Sequence, residues 1–315
     1  ATARVPLNLP PGSVRLLVAA PGDAKSAKID ARPRVEQGRL KPAWQGRRLQ
    51  PNACALTQCR VSNQDDWGSI DNARELIASR IEASGGPVTL PVEWRFDVKA
   101  GVEATDGWSV AIELSEDASL SLNGASIALD EREVLFDPAI SSVSLPAVSA
   151  GEHLLGLTRT FAEPGDLQPP WVLGPFRVEQ TDAGGRTLVV DDGSVTLGRW
   201  SEAGLPSYFG EVVYRAEVEG APLEDGAGVM LERDWLGTVG EVRVNGKLVD
   251  AVFAAPYECD LTAQWGPGTR AVEITLTAAP DDALAGLRGL GDADVTNAGL
   301  KAPEIAIYGR GGREQ

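Results

Sequence analysis

Along most of this 315-residue chain apolar and polar residues alternate over short stretches, and one arrangement of them occurs twice. The clearer copy runs from Gly240 through Val242-Arg243-Val244 to an Asn245-Gly246 turn and Leu248-Val249. It continues with Tyr257 to Thr262, a turn at Gly266-Pro267-Gly268, and Ala271 to Leu276. The fainter copy runs from Ser119 to the Asn123-Gly124 turn, then Phe136-Asp137-Pro138, a turn at Gly151, and Leu154 to Thr158. From turn Asn to last turn Gly the clearer copy spans 23 positions and the fainter 28. Asn-Gly between alternating residues signals a tight hairpin, because a type I′ turn needs two positive φ angles. In Val242-Arg243-Val244 the valines point one way and the arginine the other, as in a half-buried antiparallel strand. Many short strands separated by turn signals predict an all-β chain of two jelly-roll β-sandwiches in tandem.

The same reading divides the chain into three regions. Residues 1–86 hold short apolar pieces such as Val14 to Val18, Gly and Pro breaks, and one helix. That helix starts near Asp71 and runs to Ile81 with Leu76, Ile77 and Ile81 on one face, and Ser84-Gly85-Gly86-Pro87 stops it. Residues 87–182 carry the fainter cassette and close on the segment Trp171 to Val178. Thr181 to Gly185 reads as a linker to 186–315, which carries the clearer cassette.

Composition narrows the partners. A formal charge of −16 argues against nucleic acid, whose affinity comes largely from Lys and Arg on phosphates. No apolar run approaches the roughly 20 residues of a membrane helix. Gly 35 and Pro 21 are plentiful but show no period, so they read as turn punctuation. His153 is the only histidine, which leaves a His-based zinc site or a Ser-His-Asp triad almost no material. Beside Glu152 in a turn, it reads as a surface residue. Cys54 and Cys59 are either a disulfide of an exported protein or two buried thiols, and Cys259 is odd in either case. Asp191-Asp192-Gly193 and Asp281-Asp282 read as turns, with a Ca²⁺ site as the alternative for oxygen-rich loops.

Trp200, the run Gly204 to Gly210, Val213-Tyr214-Arg215, the Val-Asn-Gly hairpin and Asp260-Leu261-Thr262 resemble the galactose-binding-like jelly roll of large glycoside hydrolases. With the upstream Trp171 to Phe176 segment, they resemble the C-terminal portion of α-L-rhamnosidase-like enzymes of glycoside hydrolase family 106 and relatives of the family 2 type. Asn52 to Arg60 is similar to the strand entering such domains, although Gln58 stands where an aromatic or acidic neighbour is expected. The resemblance covers roughly residues 50 to 300.

That resemblance implies a periplasmic or extracellular setting and, as partner, a carbohydrate or the catalytic domain of a glycoside hydrolase. In those enzymes the catalytic carboxylates belong to a (β/α)₈ barrel of about 250 residues. This chain shows no eightfold alternation of strand and helix, so the expected role is accessory: to buttress a barrel and contribute to a sugar site. A free-standing carbohydrate-binding module and a complete hydrolase with its own acid pair are the other two readings. Glu232 and Asp234, two apart on a strand and hence on one side, are the candidate acids for the last of these. Trp200, Tyr208, Trp235 and Trp265 are the candidate sugar-stacking residues, since an aromatic face suits the C–H face of a pyranose. Trp171 and Phe176 read as buried.

Overall fold

The structure is a computed structural model. It describes residues 34–61, 66–102, 107–130, 132–135, 138–180, 186–236, 239–253, 257–278 and 299–310. The Val14 to Val18 piece, Phe136-Asp137, the 181–185 linker and Asp281-Asp282 lie outside these residues.

In chain order the elements are β1 (Arg34–Leu40), β2 (Gln45–Arg48), β3 (Asn52–Ala55), β4 (Gln58–Val61), β5 (Gly68–Ser69), α1 (Ile70–Ser84), β6 (Val88–Val98), β7 (Ser109–Glu113), β8 (Ser119–Leu122), β9 (Ala125–Ile127), β10 (Arg132–Val134), β11 (Ile140–Ser144) and β12 (Gly151–Phe161). There follow β13 (Trp171–Gly174), β14 (Phe176–Gln180), β15 (Arg186–Val190), β16 (Ser194–Val195), β17 (Gly198–Arg199), β18 (Glu211–Gly220), β19 (Gly228–Leu236), β20 (Val239–Val244), β21 (Lys247–Val252), β22 (Glu258–Asp260), β23 (Gly268–Thr277) and β24 (Gly299–Arg310). The chain is all-β apart from α1 and short 3₁₀ turns.

Four sheets make two sandwiches. In the first, the sheet β10-β11-β7-β13-β3 faces the sheet β14-β15-β6-β12-β8-β9, to which β4 and β5 add at one side. Trp94, Phe96, Leu155, Val110, Ile112 and Phe161 fill the space between them. In the second, β1-β24-β19-β22 with β17 faces β16-β2-β18-β23-β20-β21 around Trp200, Tyr214, Val242, Ile274 and Leu231. The two orders match: β6-β12-β8-β9 in one sandwich corresponds to β18-β23-β20-β21 in the other.

The repeated cassette accounts for that match. Asn123 and Gly124 have φ of 53° and 80°, and Asn245 and Gly246 have 49° and 77°, the paired positive angles of a type I′ hairpin. Each Asn also ties its hairpin to the next strand. Asn123 donates its backbone N–H to Leu154 O and accepts from Leu154 N with Oδ1, while Asn245 does the same with Ala271. The helix also follows its sequence signals. Ser69 and Asn72 form a capping box, Gly85 closes the helix in the left-handed region at φ 69°, and Ile70, Ala73 and Ile77 are buried while Leu76 and Ile81 pack part-buried on the core.

The N-terminal stretch does not stand apart. β1 pairs with β24 and β2 with β18 in the second sandwich, whereas β3 pairs with β13 and β4 with β6 in the first. Strand pairings this distant in sequence leave no local trace in patterns four to seven residues long. β15 likewise belongs to the first sandwich through β14 and β6, so the crossing between sandwiches falls at 191–193 rather than at 181–185.

That crossing is tightly bonded. Asp191, with its side chain 1% exposed, accepts from Arg48 Nε at 2.6 Å, Arg177 Nε at 2.9 Å and Gly193 N at 2.9 Å. Asn52 adds bonds from Nδ2 to the carbonyls of Phe176 and Gly204, both at 3.0 Å. All three cysteines are buried thiols and none is in a disulfide. Burial pushes the thiol of Cys54 up to about 11 and that of Cys59 up to about 12.

Candidate functional site

Glu232 lies on the outward face of β19, directly opposite Glu258 on β22 and Glu304 on β24. Like charges facing each other across strands weaken a sheet, and here Arg39 from β1 offsets the repulsion. Its Nη1 reaches Glu232 Oε2 at 2.7 Å and Glu304 Oε2 at 2.9 Å, and its Nη2 and Nε hold Glu36 at 2.7 and 3.0 Å. Lys41 Nζ adds a contact to Glu304 at 3.0 Å. Tyr308 on β24 donates its hydroxyl to Glu232 Oε1.

The titrations follow from these bonds. The hydrogen bond from Arg39 lowers Glu36, those from Lys41 and Arg39 lower Glu304, and the three carboxylates hold Arg39 more firmly protonated. Tyr308 is pushed up to about 12, first because its proton is bonded to the Glu232 carboxylate. Both oxygens of Glu232 therefore already hold a donor, and the group acts as a tie between β1, β19 and β24.

Asp234 lies two residues beyond Glu232 on β19. A register shift separates them, since Glu232 faces Glu304 but Asp234 faces Lys301, so β24 carries an extra residue opposite this step. Pro303 sits in that step, and a proline has no N–H to offer the ladder. The extra residue belongs to β24, so the shift displaces the partner strand and leaves the alternation along β19 untouched. The side chains of Asp234 and Trp235 lie outside the described positions.

Two of the expected stacking residues are core residues. Trp200 is 0% and Tyr208 1% exposed, so neither ring leaves a face for a sugar. Their polar ends are used within the fold: Trp200 Nε1 donates to Tyr214 Oη at 2.9 Å, and Tyr208 Oη donates to Glu211 O at 2.8 Å. Trp265 is part-buried against the second core, with its indole nitrogen enclosed and without a hydrogen-bond partner among the described residues.

His153 is buried, not a surface residue. It takes an inward position of β12, stacks on Phe96 at 5.2 Å, and its Nε2 lies 2.7 Å from Ser149 O and its Nδ1 3.0 Å from Asn123 Nδ2. Those two partners select the tautomer in which Nε2 donates and Nδ1 accepts. Asp191 and Asp192 each accept from a backbone N–H two residues on, the turn geometry. With two guanidiniums on Asp191, that turn has no place for a calcium ion.

A cavity of about 300 Å³ opens where β4, β5 and the start of α1 meet, between Arg60, Asp66, Trp67 and Asn72 over a floor of Cys59 and Val61. None of these six carries a motif. The cross-strand pairing of β4 with β6, which brings Arg60 and Arg95 beside Trp67, is the signal that would have found it.

No protein-family model matches the chain, and no curated protein does. Among solved structures it is similar to the rhamnosidase of Novosphingobium sp. PP1Y, with 13% identity over 74% of this chain and 26% of that one and a TM-score of 0.31. It is similar also to a GH2 beta-galacturonidase of Eisenbergiella tayi, with 9% identity, 74% and 38% coverage and a TM-score of 0.25. A third, an anti-sigma factor domain-containing protein, gives 6% identity, 87% and 95% coverage and a TM-score of 0.22. The chain spans well under two thirds of either enzyme. Scores of this size assign no activity, and the β-sandwich architecture rests on the chain's own sheets.

Proposed function

We propose that this chain is a non-catalytic accessory region of a carbohydrate-active glycoside hydrolase, supporting a catalytic domain and contacting sugar. The observation that carries the non-catalytic half is the condition of Glu232. Glycoside hydrolysis needs one carboxyl to deliver a proton and another to attack or to activate water. Glu232 instead accepts from Arg39 and Tyr308, a structural use that holds three strands together. Among the described residues the carboxyls whose titration departs from the ordinary value, Glu36, Asp117, Asp192 and Glu304, all move down, opposite to what a general acid requires. The carbohydrate half is supported by the resemblance of the two cassettes and their flanking segments to accessory sandwiches of such enzymes.

A panel of aryl glycosides and soluble polysaccharides, scored for hydrolysis and for binding on the same samples, tests this reading. Saturable polysaccharide binding without turnover is expected. Turnover that Glu232→Gln abolishes would overturn the accessory role, and binding of no polysaccharide would remove the carbohydrate half.

A further inference from the structure

Several polar groups around the cavity at β4, β5 and α1 have hydrogen-bonding capacity unused among the described residues. Arg60 bonds Glu93 Oε2 through Nε and Nη2, both at 2.7 Å, which leaves Nη1 unengaged. Asn72 Oδ1 accepts from the Ser69 backbone at 3.2 Å and from the Ser69 hydroxyl at 2.5 Å, so the cap takes its oxygen and leaves its Nδ2. The Trp67 indole N–H and both oxygens of Asp66 have no partner among the described residues. Three donors and one carboxylate thus surround a space of about 300 Å³, at the small end of ligand sites.

The wall is also stiff. The Trp67 ring lies 4.8 Å from the Arg60 guanidinium carbon and 4.9 Å from that of Arg95, and Arg95 is held in turn by Gln58 Oε1 at 3.1 Å. Cation–π contacts and ion pairs fix the ring before any ligand arrives, which reduces the ordering cost of binding.

We propose that this cavity binds a single neutral pyranose ring, with hydroxyls received by Asp66, Asn72, Arg60 and the Trp67 N–H and the C–H surface lying on the accessible part of Trp67. The volume admits one ring rather than a chain. Three donors together with one acceptor suit a polyol, since each hydroxyl both gives and takes a hydrogen bond. The Glu93 carboxylate already offsets Arg60, and the Asp66 carboxylate in the lining disfavours an acidic sugar or a phosphate. This site deepens the carbohydrate reading above and rests on it.

The test is calorimetric titration of the full chain with methyl glycosides of neutral hexoses and deoxyhexoses, with galacturonate alongside and circular dichroism to confirm folding of each variant. One-to-one binding in the millimolar range is expected. Asp66→Asn, an exposed and conservative change, should weaken it by about tenfold, the effect of losing a charge-assisted bond; Trp67→Ala should weaken it further. Galacturonate should bind more weakly than the neutral sugars and recover in Asp66→Asn. Neutral-sugar affinity left unchanged by both folded variants, or abolished by Trp265→Ala instead, would overturn the site while leaving the carbohydrate reading intact. Absence of single-sugar binding overturns it too, and polysaccharide binding by the same samples then decides separately whether that reading survives.

Discussion

Removing the Asp191 carboxylate should do more damage than any other single change of a charged side chain among the described residues, because it strands two arginines at the crossing between sandwiches. Arg48 comes from β2 of the second sandwich with its side chain only 10% exposed, and Arg177 comes from β14 of the first at 31%. Breaking a buried pair by deleting one partner costs about 3–5 kcal/mol, since the remaining charge is left unpaired in a poor solvent. Arg48 keeps a bond from Nη1 to Gln50 O at 2.6 Å, and Arg177 keeps Asp192 Oδ1 and Ser194 O, so the lower end applies, about 3 kcal/mol for Asp191→Ala. At about 2–4 °C per kcal/mol for units of this size, the melting midpoint should fall by about 6–12 °C. Differential scanning calorimetry reads this directly, and the loss should fall partly on coupling, so that one endotherm broadens or splits into two. Because the carboxylate is enclosed, raising the salt concentration should change the effect little. A midpoint within about 2 °C of the parent, with an unchanged single endotherm, would refute the idea that this cluster joins the two sandwiches.

Other consequences follow from single positions. A Cβ at Gly46 would run into the Val195 carbonyl and the Tyr214 ring, so Gly46→Ala should cost about 3 kcal/mol or more, read as a shift of the denaturant midpoint. Asn123→Gly keeps the positive φ but loses the bond from Leu154 N at 2.9 Å, so it should cost about 1 kcal/mol, and Asn123→Ala about 1 kcal/mol more for the left-handed backbone, as thermal melts would show. Glu36 and Glu304 have folded-state values lowered from 4.5, so their contribution is present above about that pH and is lost as pH falls through the lowered values. Acid unfolding followed by circular dichroism should therefore become less steep in this range when Arg39→Gln removes the shared cation, and identical acid profiles would contradict it.

The parts of the fold that were legible in the sequence are those fixed over a few residues. Asn-Gly specifies a pair of backbone angles and Ser84-Gly85 the end of a helix, and both appear where expected, with the helix start one residue before Asp71. The assignment of strands to sandwiches was not legible, because it depends on β1 finding β24 and β3 finding β13 across most of the chain. Burial misled in a related way. His153 beside Glu152 has the composition of a turn, yet strand β12 begins at Gly151 and turns its third residue inward to stack on Phe96. Trp200 and Tyr208 carry the aromatic and polar atoms of a sugar platform, but those atoms are engaged with Tyr214 and Glu211.

Glu232 and Asp66 show why residue type alone could not locate the site. Both are acids close in space to an arginine and an aromatic side chain, and each has a second acid nearby in sequence, Asp234 for Glu232 and Asp65 for Asp66. In the fold, Glu232 has a donor on each oxygen, one of them from Tyr308, 76 residues away. Asp66 has none among the described residues and lines a cavity. The property that separates a structural carboxylate from a binding one is therefore hydrogen-bonding capacity left over after the chain has satisfied its own strands. That remainder is set by long-range pairing, so it becomes visible only once the sheets are assembled.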